Sequence, residues 1–409
     1  MRKPPLNVFV GRRKVGAIHR SEIEPDTLLF GYDKEIPDDL SVSLTVPPRV
    51  DHYDSMAGLL PIFDMNLPEG GLKERLRYQF SKTVPEFDDL DMLAIVGTSQ
   101  IGRLRYSHQE EITEDIPAED TKRLLTHLGS EDLFASLLER FAQYSGVSGV
   151  QPKVLIKEIG QPDKLAQHGA THIVKSFNSS EFPELAANEY LCTAGAKHAG
   201  IDTAKVEMSV DRKLLLVTRF DRTPEGEYLG IEDFCVLTGR RSHGRYDGTY
   251  EEIGKRITDF VSRDALAEAR EQYALSVAFA CAIENGDAHL KNFSVLYANT
   301  EAAIRLAPAY DLVSTTPYRP RDTLALTLNG SKSFPNREGL VAFIRRITGK
   351  SQNRAGEIVD RAISGAQHVS KLAQAFPKAH RGTEIFSDSL TKSVQRGIER
   401  LRKRASAKP

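Results

Sequence analysis

Apolar and polar positions follow a β-strand period near the N-terminus of the chain and a helical period near its C-terminus. Residues 6–18 alternate around a Gly-Arg-Arg turn, which predicts a β-hairpin. Pro68, followed by an acidic residue, is typical of a helix start. We therefore expect residues 1–107 to form a small α+β module. Its predicted elements are a hairpin over 6–18, a strand over 40–48, a helix over 67–80, and a short helix and a strand over 91–106.

The central part of the chain predicts a second, different α+β unit. The acidic and polar stretch 108–122 is a candidate linker, and an amphipathic helix is predicted over 132–143. Residues 145–220 then predict the order strand, strand, helix, strand, strand. This order matches the small lobe of a kinase-like fold, which we assign to residues 123–222.

Beyond residue 222 the pattern is mainly helical. The main interruption is "FSVLY", which predicts one strand, followed by "ANTEAA" as a connection and "IRLAPAY" as a second strand. A β-rich lobe before a helical lobe at 223–409 predicts an α+β, two-lobed protein-kinase-like fold behind the N-terminal module. The helices predicted in the last lobe cover 249–260, 264–283, 338–348, 351–375 and 388–404.

The composition predicts a cytoplasmic protein that has no membrane segment. Hydrophobic residues make up 40% and charged residues 27% of the chain, as in ordinary globular proteins. A formal net charge of −1 gives no overall signature of polyanion binding, so any nucleic-acid contact would be local. Cys192, Cys235 and Cys281 are widely spaced and fit a reducing compartment as buried apolar residues. The N-terminus lacks the apolar stretch of a signal peptide, and the run 273–283 is too short to span a bilayer.

Three polar residues flank the predicted hairpin of the last lobe. In "NGDAHLKN" the turn formers before Asp287 place it on a tight bend, and the two strands would bring Asp287, Asn292 and Asp311 to one end of a ribbon. A carboxylate that orients a hydroxyl, with an amide and a carboxylate that hold Mg²⁺, is the equipment of phosphoryl transfer. An ordinary surface turn is the alternative. A zinc site is disfavoured because His289 has no second His or Cys at ligand spacing.

The loop "SGVSGVQPK" is a candidate phosphate-binding loop. Gly146 and Gly149 would allow the backbone to approach a phosphate closely, and Lys153 would close the loop. It is not a Walker A sequence, because no Gly-Lys-Ser/Thr follows. A solvated surface lysine is the alternative for Lys153.

Lys175 and the segment "VTRFDR" could hold the rest of a nucleotide. The strand "HIVKSF" would direct Lys175 inward, and buried lysines are rare without a function. A kinase uses such a lysine on the α- and β-phosphates, oriented by a glutamate, and Glu189 stands at the right place in the order. Glu189 could instead be a solvated helix glutamate.

The segment "VTRFDR" is a candidate hinge that carries adenine. Backbone groups of Thr218 and Phe220 would hydrogen-bond the base. Arg219 and Arg222 with Asp221 could equally form a structural salt bridge.

Taken together, these motifs resemble the HipA family of bacterial serine/threonine kinases, the toxin halves of HipBA toxin–antitoxin pairs. The matching pieces occur in family order between residues 149 and 314, and "LPEG" at 67–70 resembles the coupling region of the family. They are "GVQPK", "HIVKSF", "NEYL", "VTRFDR", "EDFC", "NGDAHLKNFS" and "APAYDLVS".

The resemblance implies ATP and Mg²⁺ as cofactors and assigns a role to each matching residue. Asp287 would be the catalytic base, and Asn292 and Asp311 the Mg²⁺ ligands. The implied nucleotide contacts are Ser148, Gly149, Val150, Gln151, Pro152, Lys153, Lys175, Thr218, Arg219, Phe220, His289, Leu290, Lys291, Asn292, Tyr310, Asp311, Leu312 and Val313.

The resemblance also implies partners. Family members phosphorylate a protein hydroxyl, in known cases on an aminoacyl-tRNA synthetase, which blocks translation and drives persistence. They bind a small helix-turn-helix antitoxin that represses the shared operon, so operator DNA is an expected partner through that complex. A small-molecule phosphotransferase and a pseudokinase co-repressor remain the alternatives. In the second case the basic tail 396–404 would touch DNA phosphates, unless it is simply a solvated helix end.

One position departs from the family pattern. Members usually carry a regulatory serine seven residues before the loop lysine, where this chain has Gly146. We expect Ser148 to take over as the autophosphorylation site, because it lies between two glycines. Ser145 is the competing candidate.

Overall fold

The computed structural model describes residues 3–24, 27–56, 58–82, 84, 86–114, 116–128, 130–149, 151–159 and 169–403. Of the predicted nucleotide contacts, Val150 lies outside the described residues. The chain divides into two compact units. The first contains Met1–Phe177, Ser209–His243 and Val295–Ile304, and the second contains Asn178–Met208, Gly244–Ser294 and Arg305–Pro409. The three domains with bounds 1–107, 123–222 and 223–409 stay a prediction.

The strands are short, and most of them fall where the hydrophobic pattern predicts them. They are β1 Leu6–Val10, β2 Arg13–Arg20, β3 Thr27–Tyr32, β4 Tyr53–Met56, β5 Leu104–Ser107, β6 Ala118–Glu119, β7 Lys153–Glu158, β8 His172–Ser176, β9 Val206–Met208, β10 Leu214–Thr218, β11 Gly230–Asp233, β12 Ser294–Tyr297 and β13 Arg305–Leu306.

The longer helices lie in the second half of the chain, and all five helices predicted there are confirmed within a few residues. The helices are α1 Pro61–Asp64, α2 Gly70–Phe80, α3 Asp89–Val96, α4 Thr121–Thr126, α5 Ser130–Phe141, α6 Leu185–His198, α7 Phe234–Leu237, α8 Tyr250–Phe260, α9 Leu266–Ala282, α10 Arg337–Thr348, α11 Gln352–Ala379 and α12 Glu384–Arg402.

The first unit contains two arrays of strands, one antiparallel and one in which β6 pairs with β7 in parallel while β7, β8 and β10 are antiparallel. In the N-terminal array the order is β4-β3-β2-β1-β5, and the predicted hairpin is confirmed as β1 and β2, which turn at Gly11 with φ +60°. Apolar residues of this sheet, such as Val8 and Phe30, are buried against Phe63 of α1 and Leu93 of α3. In the second array the order runs β6-β7-β8-β10, and Val154 and Val174 of adjacent strands are buried in one core with Phe141 of α5.

The prediction of a strand over residues 40–48 is wrong. This segment instead forms a short helical turn at Asp38–Leu40 and then bends. Its backbone N–H groups bond to side chains rather than to a neighbouring strand: the N–H of Val42 donates to the Tyr32 hydroxyl at 2.8 Å, and that of Leu44 donates to the buried Glu232 carboxylate at 2.8 Å. Side-chain acceptors have therefore replaced a sheet ladder.

The second unit is built around the buried helix α9. Its residues from Tyr273 to Ala282 are buried without exception, which explains why the run 273–283 is almost entirely apolar. Helix α11 packs against α6, α9 and α12. Within the described residues no helix is both long enough and apolar enough to cross a membrane.

Candidate functional site

Asp287 lies in a tight loop that begins where the buried helix α9 ends. The Asn285 side-chain oxygen accepts the backbone N–H of Asp287 at 2.9 Å, an Asx-turn that confirms the predicted bend. The loop is also fixed by the backbone N–H of Gly286, which donates to the Thr315 hydroxyl at 2.8 Å. Glu284 starts the loop with φ +56°, a left-handed conformation that reverses the chain. Asp287 is therefore presented on a fixed backbone.

The same loop is anchored to the C-terminal helix by a buried carboxylate. Glu284 accepts from Arg396 at 2.8 Å, from Arg400 at 2.7 Å and from the Thr316 hydroxyl at 2.9 Å. The two arginines thus pair internally, whereas the sequence left them as solvated or as contacts to DNA phosphate. Helix α12 consequently helps to position the segment that carries Asp287.

The charges around Asp287 are mixed. The Tyr246 hydroxyl donates to Asp287 Oδ1 at 2.8 Å. The surrounding protein desolvates the carboxylate although the residue keeps access to solvent, and this raises its pKa; the Asp311 carboxylate raises it further. The hydrogen bond from Tyr246 and the charges of Arg245 and Arg319 act in the opposite direction. Asp287 and Asp311 are therefore close enough to interact, as the predicted hairpin required.

His289 and Asn292 form one short turn after Asp287. The Asn292 side-chain oxygen accepts the backbone N–H of His289 at 3.0 Å. Burial lowers the pKa of His289 to about 4, with help from Arg245 and Lys291, so its ring is neutral at pH 7. Its buried Nδ1 has no hydrogen-bond partner within the part of the chain that the structure describes. This nitrogen could bond to a ligand.

The segment that carries Asp311 is fixed from two sides. The Tyr310 hydroxyl donates to the Lys291 carbonyl at 2.7 Å, and the Asn188 amide brackets Ser314 with two hydrogen bonds of 2.9 Å. Asp311 itself has φ +54°, a conformation that Asp and Asn tolerate better than other side chains. Of the predicted contacts in this unit, Leu290, His289 and Leu312 are buried, and Lys291, Asn292, Tyr310, Asp311 and Val313 are half-buried.

The hairpin that separates the two acidic residues is present. Its strands are β12 and β13, and the N–H of Ala307 donates to the Ser294 carbonyl at 2.8 Å. Asn292 precedes the first strand and Asp311 follows the second.

In the first unit, two buried lysines lie opposite each other on neighbouring strands. The antiparallel register of β7 and β8 pairs Lys153 with Lys175, and both are at most 6% exposed. Directly opposite residues project to the same face of a sheet. Gly149 has φ +126°, and a Cβ there would lie 2.2 Å from the Lys153 ammonium nitrogen. Two cations under a closely approaching loop suit an anionic ligand.

The three small residues of this loop have different surroundings. Ser145 is fully buried; its hydroxyl donates to the Phe141 carbonyl at 2.7 Å and accepts the Leu155 N–H at 2.9 Å. At Gly146 a Cβ would lie 2.1 Å from the side-chain nitrogen of the buried Gln100, so a serine does not fit there.

Ser148, by contrast, is half-buried, and its hydroxyl donates to Glu69 Oε1 at 2.8 Å. Gln151 and Pro152, the other described members of the loop, are also half-buried.

The candidate hinge contains a buried ion pair. Arg219 Nε donates to Asp221 at 2.9 Å, and the arginine also donates to the Gln100 carbonyl at 2.9 Å. Burial acts to raise the pKa of Asp221, but Arg219 lowers it below its usual value. The predicted structural salt bridge is thus present between Arg219 and Asp221, whereas Arg222 donates to the Ala170 carbonyl at 2.8 Å. The adenine contacts of Thr218, Arg219 and Phe220 stay predictions.

Helix α6 of the second unit carries Glu189, which is buried. Its partnership with Lys175 stays a prediction.

Three residues of the site had no role assigned from the sequence, although Glu69 belongs to the "LPEG" motif. Tyr246 lies 41 positions before Asp287 in a loop rich in Gly and Arg, and Glu69 lies 79 positions before Ser148. Neither separation leaves a local pattern. Glu284 did have a signal, because it is a charged residue at the end of an otherwise apolar run.

The fold and these residues define a protein with a kinase-like α+β fold. Its first unit carries two lysines on a sheet, and its second carries the Asp-Asn-Asp set on loops. The chain belongs to the HipA family. The HipA-like C-terminal domain matches residues 145–370, and the HipA N-terminal domain matches residues 6–107. The predicted family and fold class are thereby confirmed.

Relatives and a solved structure agree with this assignment. "Putative kinase Y4mE" of Sinorhizobium fredii is 28% identical over 336 residues, 76% of this chain and 78% of the relative. "Putative kinase Y4dM" of the same organism is 33% identical over 182 residues, which span 41% of this chain and only 43% of that relative. The Shewanella oneidensis HipA structure, in complex with HipB and operator DNA, aligns over 97% of both chains with a TM-score of 0.70. At 21% identity this likeness shows the fold alone.

Proposed function

We propose that this chain is an ATP- and Mg²⁺-dependent serine/threonine protein kinase. The observation that carries the proposal is the Asp287 loop, which holds one carboxylate near a second one, Asp311, on a backbone fixed by hydrogen bonds. Asp287 would accept the hydrogen bond of the acceptor hydroxyl and take its proton. The raised pKa of Asp287 makes it a better proton acceptor than an ordinary surface carboxylate.

The residues around Asp287 fit a magnesium ion. Asn292 and Asp311 supply an amide and a carboxylate oxygen, which are the hard donors that Mg²⁺ prefers. The described residues contain no cluster of three or more His, Cys, Asp or Glu side chains that could hold a metal. A two-ligand site suits Mg²⁺, which usually keeps several waters and substrate phosphate oxygens. When bound, Mg²⁺ would neutralise charge on the transferred phosphoryl group.

The remaining nucleotide contacts follow from the buried cations. Lys153 and Lys175 would neutralise phosphate oxygens, and the close approach at Gly149 would let backbone N–H groups of the 148–153 loop reach them. The neutral ring of His289 has an unsatisfied Nδ1 that could bond to a nucleotide oxygen.

Labelled ATP tests the reaction class. Incubation of the chain with γ-labelled ATP, Mg²⁺ and a bacterial lysate should place the label on protein. Label on metabolites instead would indicate a small-molecule phosphotransferase. No transfer, together with operator binding that needs no ATP, would indicate a pseudokinase co-repressor.

We further propose that the chain acts in the cytoplasm as a toxin with a small helix-turn-helix antitoxin, and that its substrate is a translation component such as an aminoacyl-tRNA synthetase. The support is membership of the HipA family and the fold shared with a HipA protein solved with HipB and operator DNA. Phosphorylation of such a substrate would arrest growth, and the complex would repress the operon. The residues 6–107 supply none of the predicted catalytic or nucleotide contacts, which leaves this module free to serve binding.

The proposed assembly on operator DNA should be sensitive to salt. With a net charge of −1, this chain would add only local basic contacts, and the antitoxin would supply the rest. Each phosphate contact releases counterions, so the affinity of the complex for DNA should fall linearly on a plot of log affinity against log salt concentration. Gel-shift titrations at several salt concentrations measure the slope, with the antitoxin alone as control. A slope of zero, or no complex with the product of the adjacent gene, would contradict the proposal.

Ser148 is the proposed site of self-phosphorylation. Its hydroxyl is half-buried on the phosphate-binding loop, whereas the hydroxyl of Ser145 is buried and already makes two hydrogen bonds. A phosphate on Ser148 would carry about −1.5 to −2 charges next to Glu69 and would repel that carboxylate. The loop would then leave its place, and an incoming triphosphate would be repelled as well.

We expect kinase activity to fall as Ser148 becomes phosphorylated. Ser148→Ala should stay unmodified and keep its activity during incubation with ATP and Mg²⁺. Glu69→Gln keeps a hydrogen-bond acceptor but removes the charge, so it should be modified yet lose less activity than the native chain. Mass spectrometry of the peptide spanning 141–157 locates the phosphate. Phosphate on Ser145 alone, or on neither serine, would show that the assignment is wrong.

A further inference from the structure

The side chain of Tyr246 makes a direct hydrogen bond to the carboxylate of Asp287. Its hydroxyl donates to Asp287 Oδ1 at 2.8 Å, an ordinary hydrogen-bond length. The side chain is 45% exposed, and its ring meets the edge of the His289 ring at 5.0 Å between centroids. Neither the sequence motifs nor the matched family domains assign this residue a role.

In the proposed reaction, the hydroxyl of the protein substrate would donate a hydrogen bond to Asp287, as the Tyr246 hydroxyl does in this structure. A kinase base works by accepting the hydrogen bond of the acceptor hydroxyl. Tyr246 already offers a hydroxyl to Asp287, with the same donor chemistry. We propose that Tyr246 occupies the acceptor-hydroxyl position on Asp287 and acts as a latch that the hydroxyl of a protein substrate must displace. This inference rests on the proposed kinase function.

The surroundings of Tyr246 permit such a displacement. Its backbone is held locally, because the Arg245 carbonyl accepts the N–H of Leu290 at 3.1 Å and the N–H of Asp247 donates to Gly244 at 3.0 Å. The exposed ring can therefore turn towards solvent about its own side-chain bonds without moving the loop. Release of the hydroxyl would leave the Asp287 loop unchanged.

A latch role and a positioning role of the Tyr246 hydroxyl predict different changes in KM and kcat for Tyr246→Phe. If the hydroxyl competes with the acceptor, its removal should raise the rate of ATP hydrolysis without protein by about tenfold, as expected when a hydrogen bond to a charged group no longer has to be broken. With dephosphorylated casein as the probe acceptor, KM should fall while kcat stays the same. If the hydroxyl positions Asp287, kcat should fall instead, which would overturn the latch. Unchanged kinetics would overturn it too.

Tyr190→Phe is the matched control. Tyr190 is 37% exposed on helix α6 of the same unit, and its substitution should change neither KM nor ATP hydrolysis. Phosphate on Tyr246 in the mass spectrum would make the residue a substrate and would also overturn the latch.

A chemical probe tests the contact independently of catalysis. Tetranitromethane attacks the phenolate, and burial and the Asp287 carboxylate both raise the pKa of Tyr246. Nitration of Tyr246 should therefore be slow in the native chain and about tenfold faster in Asp287→Ala. The buried Tyr250, four residues on, should stay unmodified in both and serves as an internal reference.

The two readouts separate the possible failures. Equal nitration of Tyr246 in both chains would show that the contact is absent in solution. Nitration that depends on Asp287, in a chain that transfers no phosphate, would show that the proposed function is wrong. Phosphate transfer that Tyr246→Phe leaves unchanged would contradict the latch alone.

Discussion

Asp287→Asn should lower phosphate transfer by roughly 10²–10⁴-fold, the usual contribution of a general base. The substitution keeps the size of the side chain and removes only its charge and its capacity to take a proton. The Asx-turn that fixes the loop uses the Asp287 backbone and the Asn285 side chain, so it should survive. Toxicity on overexpression should disappear together with the transfer.

Initial rates of transfer from labelled ATP measure this effect, and thermal unfolding tests whether the variant is intact. We expect the melting temperature to change little, because Asp287 keeps access to solvent. Asp264→Asn is the matched control, since it neutralises an exposed carboxylate on the connection between α8 and α9. Unchanged phosphorylation by Asp287→Asn would remove Asp287 from the mechanism.

Asp311→Asn should weaken Mg²⁺ binding on the order of 10- to 100-fold, a loss that even a supporting partner of a metal ligand can cause. The variant is a clean test because Asp311 has φ +54°, and asparagine tolerates this left-handed conformation. Loss of the charge should also lower the pKa of Asp287, because the Asp311 carboxylate helps to raise it.

Magnesium titrations separate a metal role from a structural one. Activity of Asp311→Asn should be low at limiting Mg²⁺ and should recover in part at high Mg²⁺, while the native chain is already saturated. Asp322→Asn, a half-buried carboxylate in the same unit, provides a comparison outside the proposed ligand set. No recovery at high Mg²⁺ in a variant that still binds ATP normally would count against Asp311 as a ligand.

The position of Gly146 shows how a departure from a family pattern can have a steric cause. The sequence showed only that this chain has a glycine where the family usually has a regulatory serine. The structure shows the buried Gln100 side chain and the Ser99 carbonyl 2.1 and 2.6 Å from where a Cβ would lie. A serine at this position would require Ser99 and Gln100 to shift, whereas Ser148 is half-buried with its hydroxyl on Glu69.

Local patterns were sufficient for most of the secondary structure. The hairpin of β1 and β2 follows from alternation around a Gly-Arg-Arg turn, and the helices of the second unit follow from their helical period. The bend at Asp287 also has a local cause, since Asn285 supplies its own turn acceptor two residues away. The motifs in their order were specific enough to identify the HipA family.

The strand predicted over 40–48 failed for a reason that no local pattern contains. Its alternation is real, but the acceptors for its N–H groups are Tyr32 and Glu232, and Glu232 lies 188 positions from Leu44. A segment becomes a strand only when a neighbouring strand supplies its hydrogen bonds.

Contacts between residues that are distant in sequence also decide the geometry of the site, whereas its residue types could be predicted. The candidate residues could be read from the sequence, because phosphate and Mg²⁺ chemistry restricts which side chains are useful. Their arrangement depends on contacts between distant segments: the register that pairs Lys153 with Lys175, the anchoring of Glu284 by helix α12, and the hydroxyl of Tyr246 on Asp287. Such contacts form only when the chain packs, since hydrogen bonds and burial act between residues that are near in space, whatever their separation along the sequence.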